Sequence, residues 1–477
     1  MQKHPFVLKS LLFGLLLGVL DLAQAGIPIQ HWTQANGAAV WLVESPTVPM
    51  VDVRVDFDAG SRRDPVQQAG LASVSAAMMS KGLKAVSDAA GLSKDGVGYN
   101  AALDENALGQ AWADLGASFG GEASADRVSF SLRSLTYPDL LARAVTLAAR
   151  QLADPAWPAD VWARERERLV AALREANTKP ATVVSRAFRQ AVYGTHPYGY
   201  ERDEQTLAHI DVADMHAWHA RYLQPCRARV SIVGAVSRTQ AQALVTQLLA
   251  RLNESSKMTE PTATASSGTS PCAPLPAVSE VAPLKSLLGA SAEQHIAFES
   301  AQAHVLMGQP GFKRDDPDFF ALTVGNYILG GGGFVSRLTD EVREKRGLSY
   351  SVSSHFNPGL HAGAFTVGLQ TRPDQADQAV RVAREVVRRF VAEGPTPAEV
   401  KAAKNNLIGG FALRIDNNRK LLDNVANIAA HGLPLNYLDT WTQQVGKVTV
   451  ADIKAAFART LQPDAMVTVV VGGTHGK

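Results

Sequence analysis

Several residue types in this chain could carry hydrolytic or metal chemistry, but their spacing does not assemble a site. The sequence has 12 histidines, and none is directly followed or preceded by a glutamate. Both helix motifs of zinc peptidases, His-Glu-x-x-His and His-x-x-Glu-His, are therefore absent. His216 and His219 lie three residues apart on a predicted helix, and we interpret them as part of an ordinary helix face.

Two glycine motifs resemble catalytic loops only in part. Gly116–Gly120 fits Gly-x-Ser-x-Gly, but a nucleophile elbow must lead into a helix, and a strand is predicted to follow here. The run of Gly330, Gly331, Gly332 and Gly333 lacks the Gly-Lys-Ser/Thr ending of a phosphate loop. Two interpretations of this run stay open: a close-approach loop near a bound peptide, and a flexible turn between helices.

Cys226 and Cys272 are the two cysteines of the chain. They are too far apart in sequence for a Cys-x-x-Cys metal or redox motif. In an oxidising compartment they could form a disulfide, and otherwise they are two separate thiols. Both alternatives stay open at this point.

Composition places the chain among ordinary globular proteins. It has 477 residues, 46% hydrophobic and 19% charged, and a formal net charge of +2, which excludes wholesale disorder and indicates no nucleic-acid partner. Residues 1–25 combine two lysines, an apolar run and a small-x-small pattern ending at Ala25. This pattern predicts a signal peptide cleaved near Ala25, and the apolar run is too short to span a bilayer. We therefore expect an exported, periplasmic protein without stable membrane insertion.

An internal repeat and a linker divide the rest of the chain into two predicted domains. Residues 213–234 and 451–472 are identical at ten of 22 positions without a gap, and each pairs a helix with an apolar strand. Residues 253–285 are rich in Ser, Thr and Pro, which is typical of an extended, poorly ordered connector. We predict a first domain at 26–252 and a second, homologous domain at 286–477.

Strand and helix patterns are interspersed in both predicted domains. Alternation of apolar and polar residues predicts strands at 51–58, 128–133 and 360–371. Helical patterns cover 141–152, 163–176, 376–392 and 397–413. Because strict βα alternation is absent, we expect an α+β fold in which helices back mainly antiparallel sheets.

In the first half, a GSR turn at Gly60 is followed by an acidic residue and by a helix that begins at Gly70-Leu71-Ala72. This order resembles the pitrilysin/insulinase-type metallopeptidases, the inverzincins, in which the same features precede His-x-x-Glu-His. Alignment on them places Ser73 and Ala77 at the two histidine positions and Ala76 at the general-base glutamate. The third zinc ligand, seven residues after an acidic neighbour at Glu165, falls on Ala172. A hydroxyl and three methyl groups cannot supply the N and O ligands that zinc requires, so the resemblance implies no catalytic zinc in this chain.

The second half resembles another segment of the same family. The glycine run leads into Ser-Arg-Leu and then into Arg343-Glu-Lys-Arg-Gly-Leu-Ser-Tyr350, which is similar to Gly-Gly-x-x-Ser-Arg-Leu…Arg-Glu-x-x-Gly-Leu-x-Tyr. In family members with a split active site, this Arg and Tyr reach across to the zinc of the other half-molecule and stabilise the developing oxyanion. The resemblance implies that role, in trans, for Arg343 and Tyr350. The alternative is a solvated helix-face charge and a core tyrosine.

The resemblance implies the zinc-less subunit of an exported heterodimeric zinc metallopeptidase that degrades or processes peptides. A sister chain with an intact His-x-x-Glu-His would hold the zinc, so this chain would need no cofactor, and endopeptidase activity would require the pair. One alternative is a catalytically dead structural or peptide-binding relative, which would need neither Arg343 nor Tyr350. Another is a self-sufficient hydrolase with a relocated metal site, for which the sequence offers no ligand cluster.

Overall fold

The computed structural model describes residues 26–86, 101–257, 272–283 and 293–473. The predicted signal peptide lies outside these residues, as do residues 258–271 and 284–285 of the predicted linker. The described part of the chain is α+β, with two large sheets and helices packed on them. The predicted fold class is therefore confirmed.

The first sheet is built from strands of residues 30–234. These strands are β1 (Gln30–Thr33), β2 (Ala39–Glu44), β3 (Met50–Phe57), β6 (Ser118–Ala123), β7 (Val128–Leu135) and β8 (Arg229–Gly234). A separate ribbon pairs β4 (Gly82–Leu83) with β5 (Leu103–Asp104). The sheet order is β1-β2-β8-β3-β7-β6, and only β2 and β8 pair in parallel. Val53 in the central strand lies between Ile232 and Leu132, so the alternating pattern predicted at 51–58 forms the middle of this sheet.

Helices of the first half pack around this sheet. They are α1 (Leu71–Met78), α2 (Glu105–Asp114), α3 (Pro138–Ala153), α4 (Ala159–Asn177), α5 (Pro180–Tyr193), α6 (Glu204–Ala208), α7 (Val212–Tyr222) and α8 (Arg238–Lys257). Pro residues occupy the first turns of α3 and α5, where a missing N–H costs nothing. Helix α8 continues to Lys257, so helical structure extends into the segment that we predicted as linker from residue 253.

The second sheet repeats the arrangement of the first. Its strands are β9 (Glu293–Ile296), β10 (Ala303–Pro310), β11 (Val352–Phe356), β12 (Ala364–Thr371) and β13 (Val467–Val471). Their order is β11-β12-β10-β13-β9, and only β13 and β9 are parallel. The order matches β6-β7-β3-β8-β2 strand for strand. The two halves therefore share one topology, which is the physical basis of the sequence repeat.

Helices of the second half are α9 (Phe319–Asn326), α10 (Ala376–Glu393), α11 (Pro397–Gly409), α12 (Asn418–His431), α13 (Tyr437–Lys447) and α14 (Val450–Thr460). Two predicted elements extend four residues too far. Helix α11 ends at Gly409 rather than at 413, because two successive glycines weaken the helix there. Strand β12 begins at Ala364 rather than at 360, because a tight turn brings Gly363 against the Asn357 carbonyl, where a side chain would not fit.

The repeat offset of 238 residues relates more elements than the matched segment contains. It maps α7 onto α14, both opened by a capping box, and it maps α5 onto α12. Each helix of the second pair packs on the sheet of the opposite half. Helix α5 places Phe188 and Val192 against Val469 of the second sheet. In return, α12 places Val425 and Ile428 against the first sheet, so the two halves are joined by a reciprocal exchange of helices.

Residues 272–283 form an extended strap between the halves. It begins at the disulfide between Cys226 and Cys272, whose Cα atoms are 5.8 Å apart. The Ser279 carbonyl lies 2.9 Å from Nε2 of His196, and Glu280 pairs with Lys313 at 2.9 Å in the second half. The extended conformation was predicted, but this stretch is anchored at both ends rather than poorly ordered.

Candidate functional site

Helix α1 is positioned by an acidic residue that caps its first turn. The Asp64 carboxylate accepts hydrogen bonds from the backbone N–H groups of Gly70 at 2.9 Å and Ala72 at 3.0 Å. Gly70 has φ of 103°, a left-handed conformation that favours glycine. Burial raises the pKa of Asp64 to about 7, against the three backbone N–H groups that lower it. Asp64 therefore fixes the start of α1, which corresponds to the helix that carries zinc ligands in the resembled family. The matching positions of this chain hold no zinc ligand.

The three predicted zinc-site positions on α1 face different surroundings. Ala76 is buried, Ser73 is half-buried and Ala77 is exposed. The Ala76 carbonyl lies close to Gly121 of the edge strand β6. The remnant of the motif thus lies beside an open sheet edge, but it offers one hydroxyl and two methyl groups.

Positive side chains occupy the space where α1 meets α4. Lys81, just after α1, lies 3.3 Å from the buried carboxylate of Glu165, and Arg168 lies 2.8 Å from it. Lys81 also pairs with Glu105, which Arg164 contacts at 2.8 Å. The hydrogen bond from Arg168 and the charge of Lys81 outweigh desolvation and lower the pKa of Glu165. Three cations thus surround two carboxylates, which disfavours a further cation.

The fourth predicted position, Ala172, lies exposed on α4. Glu175, three residues on, points to solvent and pairs with Lys179 at 2.8 Å. Within the described residues, the one cluster of three potential metal ligands is Glu293, His295 and Asp377, all exposed and in the second half. None of these residues belongs to α1 or α4. The residues at the positions that the resemblance assigns to zinc therefore do not fit a catalytic zinc ion.

The two histidines on α7 also serve the fold. Nε2 of the buried His219 lies 2.7 Å from the Leu152 carbonyl. His219 and His216 both contact the ring of Trp157 edge-on. These contacts agree with their interpretation as helix-face residues.

Arg343 and Tyr350 are brought together on the second half. Arg343 lies on a wide helical turn, Thr339–Glu344, and its carbonyl accepts the Gly347 N–H at 2.8 Å. Tyr350 follows Ser349, whose hydroxyl donates to the Gln370 carbonyl of β12 at 2.7 Å. The guanidinium carbon of Arg343 lies 4.7 Å from the centroid of the Tyr350 ring. The predicted pair is therefore adjacent, and its backbone is fixed to the second sheet.

The Tyr350 side chain is not a core residue. It is 82% exposed, whereas its neighbours Leu348 and Val352 are buried. The hydroxyl thus projects from an anchored segment into open space. This arrangement contradicts the alternative of a core tyrosine.

The segment between the glycine run and Arg343 is held by a bidentate ion pair. Arg337 donates to both oxygens of Glu399 at 2.7 Å. These bonds lower the pKa of Glu399 to about 2. Glu399 also caps α11 through Thr396. The segment that leads from the glycine run to Arg343 is thereby fixed to helix α11.

The glycine run packs tightly. A side chain at Gly330 would meet the backbone and hydroxyl of Ser354 in β11, and one at Gly332 would meet the Tyr327 carbonyl. Gly333 has φ of 61° with open space around it. Close packing explains the first three glycines and backbone conformation the fourth, so a generally flexible turn is not supported.

Two features were not predicted, one beside Arg343 and one between the two halves. Phe334 and Val335, directly after the glycine run, are 72% and 76% exposed, and the ring of Phe334 also lies 4.7 Å from the Arg343 guanidinium carbon. Asp126 joins the halves by accepting from the Tyr198 hydroxyl at 2.6 Å and the Leu360 N–H at 3.0 Å. For the first feature the sequence shows an apolar pair after four glycines, which does not by itself indicate that the pair is exposed.

The fold joins two α+β halves of one topology, and the positions that the resemblance assigns to zinc ligands hold a hydroxyl and methyl groups, which do not fit zinc. A family profile described as the Peptidase M16 inactive domain matches residues 209–407. The crystal structure of a peptidase M16 inactive domain from Pseudomonas fluorescens is 32% identical, with a TM-score of 0.81, and the match covers 94% of this chain and 99% of that chain. The chain therefore belongs to the peptidase M16 family.

Two curated relatives differ in what their names state. A non-peptidase homolog of Helicobacter pylori is 24% identical over 94% of this chain and 94% of its own length. An uncharacterized zinc protease of Streptomyces coelicolor is 26% identical over 61% of this chain, and this chain spans only 60% of that relative's length. The family thus contains proteins named as proteases and as non-peptidases, and the inactive-domain profile together with the non-peptidase name supports a catalytically inactive M16 relative.

No helix in the described ranges is both long and apolar enough to cross a membrane.

Proposed function

We propose that this chain is the zinc-less subunit of an exported heterodimeric M16 peptidase. In this proposal, Arg343 and Tyr350 act on a peptide held at the metal site of a sister chain. The domain boundaries 26–252 and 286–477 belong to the same proposal, with the residues from 253 to 285 as the connection between them. Two sheets of one topology, each with its own core, support these boundaries.

The observation that carries the proposal is the position and exposure of Arg343 and Tyr350. They lie side by side, on a backbone anchored to the second sheet, with the phenol in solvent. Tyr350 lies with the exposed Phe334 and Val335 around Arg343, and adjacent exposed apolar side chains often mark an interaction site. The same chain has lost the zinc ligands at its own α1, so selection on its own metal site cannot explain the pair.

The chemistry of the pair suits an oxyanion. The guanidinium carries a permanent charge and five N–H donors, and the phenol adds one O–H donor. Donors held in place stabilise negative charge that develops on a peptide carbonyl oxygen in the transition state. In this proposal the loop from Gly330 to Gly333 lies on the substrate side, and Gly333, which has open space around it, is the position that a peptide backbone could approach.

A second candidate function is a structural or peptide-binding relative without any role in catalysis. The name of the Helicobacter pylori relative favours it. It predicts that changes at Arg343 and Tyr350 leave the turnover rate of a sister chain unchanged.

The test uses the chain purified together with a sister M16 chain that carries His-x-x-Glu-His, assayed with a fluorogenic peptide library. We expect Tyr350→Phe and Arg343→Ala each to lower kcat by about 10²-fold or more, with little change in KM, because oxyanion donors act mainly in the transition state. Tyr350→Phe keeps the ring and deletes only the hydroxyl.

Matched controls are available for both changes. Tyr137 is exposed in the first half, so Tyr137→Phe removes a phenol elsewhere. Arg346 pairs with Glu341 on the same segment, so Arg346→Ala removes a nearby charge. Both controls should keep kcat within about twofold. Full activity of both test variants would reject the proposal in favour of the structural candidate.

A further inference from the structure

The side chain of Phe334 lies on the surface of the second half rather than in its core. It lies in a short helical turn, Gly333–Val335, directly after the left-handed Gly333. Its side chain is 72% exposed. Burying such a ring would remove apolar surface from water and stabilise the fold, so its outward position calls for an explanation.

The ring of Phe334 contacts one functional group, the guanidinium of Arg343. The guanidinium carbon lies 4.7 Å from the Phe334 centroid and 4.7 Å from the Tyr350 centroid. Both distances are within the range of a cation–π contact. Among the described residues, the ionic partner of this guanidinium is Glu344, at 3.4 Å from Nε. Arg343 is thus flanked by two aromatic rings on an exposed surface.

Such an arrangement positions a cation without using its donors. A cation–π contact acts on the charge of the guanidinium and leaves its N–H groups free for a carbonyl oxygen. A free arginine side chain samples many rotamers, and fixing it costs conformational entropy. If the guanidinium is already fixed before the reaction, this cost does not add to the activation free energy. Tyr350 can donate its hydroxyl hydrogen and can also pack against the guanidinium. The side chain of Phe334 has no polar atom, so it can act only through Arg343.

We propose that Phe334 is a positioning residue that fixes the Arg343 guanidinium for catalysis in the subunit pair. This inference rests on the proposed function of Arg343 and goes beyond it by assigning a role to a residue outside the Arg/Tyr motif. It predicts that an aromatic ring is required at 334, rather than apolar volume.

The kinetic test compares Phe334→Leu, which keeps apolar volume, with Phe334→Trp, which keeps an aromatic face. In the reconstituted pair we expect Phe334→Leu to lower kcat by about 3- to 30-fold, which is the scale of a lost cation–π contact, with KM and pair formation unchanged. Phe334→Trp should restore kcat to within about twofold. Val335→Ala, an equally exposed neighbour, is the control and should not change kcat.

A double-mutant comparison separates positioning from a merely structural role. If Phe334 acts through Arg343, Phe334→Leu should have no further effect on kcat once Arg343→Ala is present. An equal additional loss in that background would overturn the proposal, as would full activity of Phe334→Leu alone.

A spectroscopic test on the isolated chain does not depend on the sister subunit. The Nε–H signal of Arg343, assigned by its loss in Arg343→Lys, should carry a ring-current shift that changes in Phe334→Leu and persists in Val335→Ala. If this shift is present but Arg343→Ala keeps full activity, the proposed function fails while the contact stands. If Phe334→Leu leaves the shift unchanged, the positioning inference fails whatever the kinetics of Arg343→Ala.

Discussion

At the scale of single residues, ion pairs occupy the region of the first half where the resemblance places a metal site. Lys81, Arg164 and Arg168 hold the carboxylates of Glu105 and Glu165. A zinc site needs three protein ligands with free lone pairs. Here the nearest carboxylates are already paired, and Ser73, Ala76, Ala77 and Ala172 cannot replace them.

The isolated chain should therefore hold no stoichiometric zinc. Metal analysis by mass spectrometry after purification without chelators should give well below about 0.1 zinc per chain, since no ligand set of the required kind exists at α1. The exposed cluster at Glu293, His295 and Asp377 provides the control, because His295→Ala should not change the result. About one tightly held zinc per chain, together with peptidase activity, would show that this interpretation of α1 is wrong.

Asp64 should make the stability of the chain depend on pH. Its folded pKa is about 7, raised from 3.8 by burial, so between these values the folded state keeps a proton that the unfolded state has lost. Its contribution is therefore full below about pH 4 and is lost as pH rises to about 7, by roughly 4 kcal/mol at most. Urea unfolding from pH 4.5 to 8 should show Asp64→Asn gaining stability relative to the wild-type chain as pH rises. A difference that stays constant across this range would contradict the expectation.

At the scale of elements, the strap at 272–283 connects parts that the sheets do not. Its disulfide fixes one end to the turn before β8, and Arg63 donates to the Pro276 carbonyl at 2.9 Å. Further along, Glu280 contacts His361 at 3.1 Å. The strap therefore crosses the interface between the halves, where Tyr198, Asp126 and Leu360 are joined by hydrogen bonds.

Opening the disulfide should destabilise the chain. The bond closes a loop between residues 46 apart in sequence, and cross-links of this size typically contribute about 2–4 kcal/mol through the unfolded state. Reductant should lower the free energy of unfolding of the wild-type chain by that amount. The variant Cys226→Ser/Cys272→Ser should show the lower value with or without reductant. An equal response to reductant in both proteins would show that the effect does not come from this bond.

At the scale of the whole molecule, helix exchange makes each half dependent on the other. Helix α12 covers Trp41, Val43 and Val233 of the first sheet, and α5 covers Val467 and Val469 of the second. A half without its partner would expose these residues as one apolar face. The two halves are therefore similar in fold, yet they form one structural unit.

Neither half should fold by itself. Residues 26–283 and 286–477, expressed separately, should be aggregated or show weak protection from hydrogen exchange in the uncovered sheet, because exposed apolar sheet faces favour association. Co-expression of the two pieces should restore a stable complex. A co-expressed pair carrying Val425→Asp, which places a charge at the buried face of α12, should fail to form it. Two independently stable halves would contradict the importance of the exchange.

The sequence by itself determined the family resemblance, the α+β class and the repeat, and it predicted that Ser73, Ala76, Ala77 and Ala172 replace the zinc-site residues. Each of these depends on residue identity at short spacing or on local periodicity, and both are present in the linear chain. It also pointed to Arg343 and Tyr350 through their spacing, but their roles remain a proposal.

Only the tertiary structure decided which distant parts meet. The exchange of α5 and α12, the pairing of Cys226 with Cys272 and the contact of Phe334 with Arg343 join residues whose proximity depends on packing of whole elements. A helix pattern shows that one face is apolar, yet it does not show which sheet will cover that face. Likewise an apolar residue after a glycine run gives no sign of its exposure. The burial of α5 and the exposure of Phe334 were therefore set by long-range packing, which short spacing cannot encode.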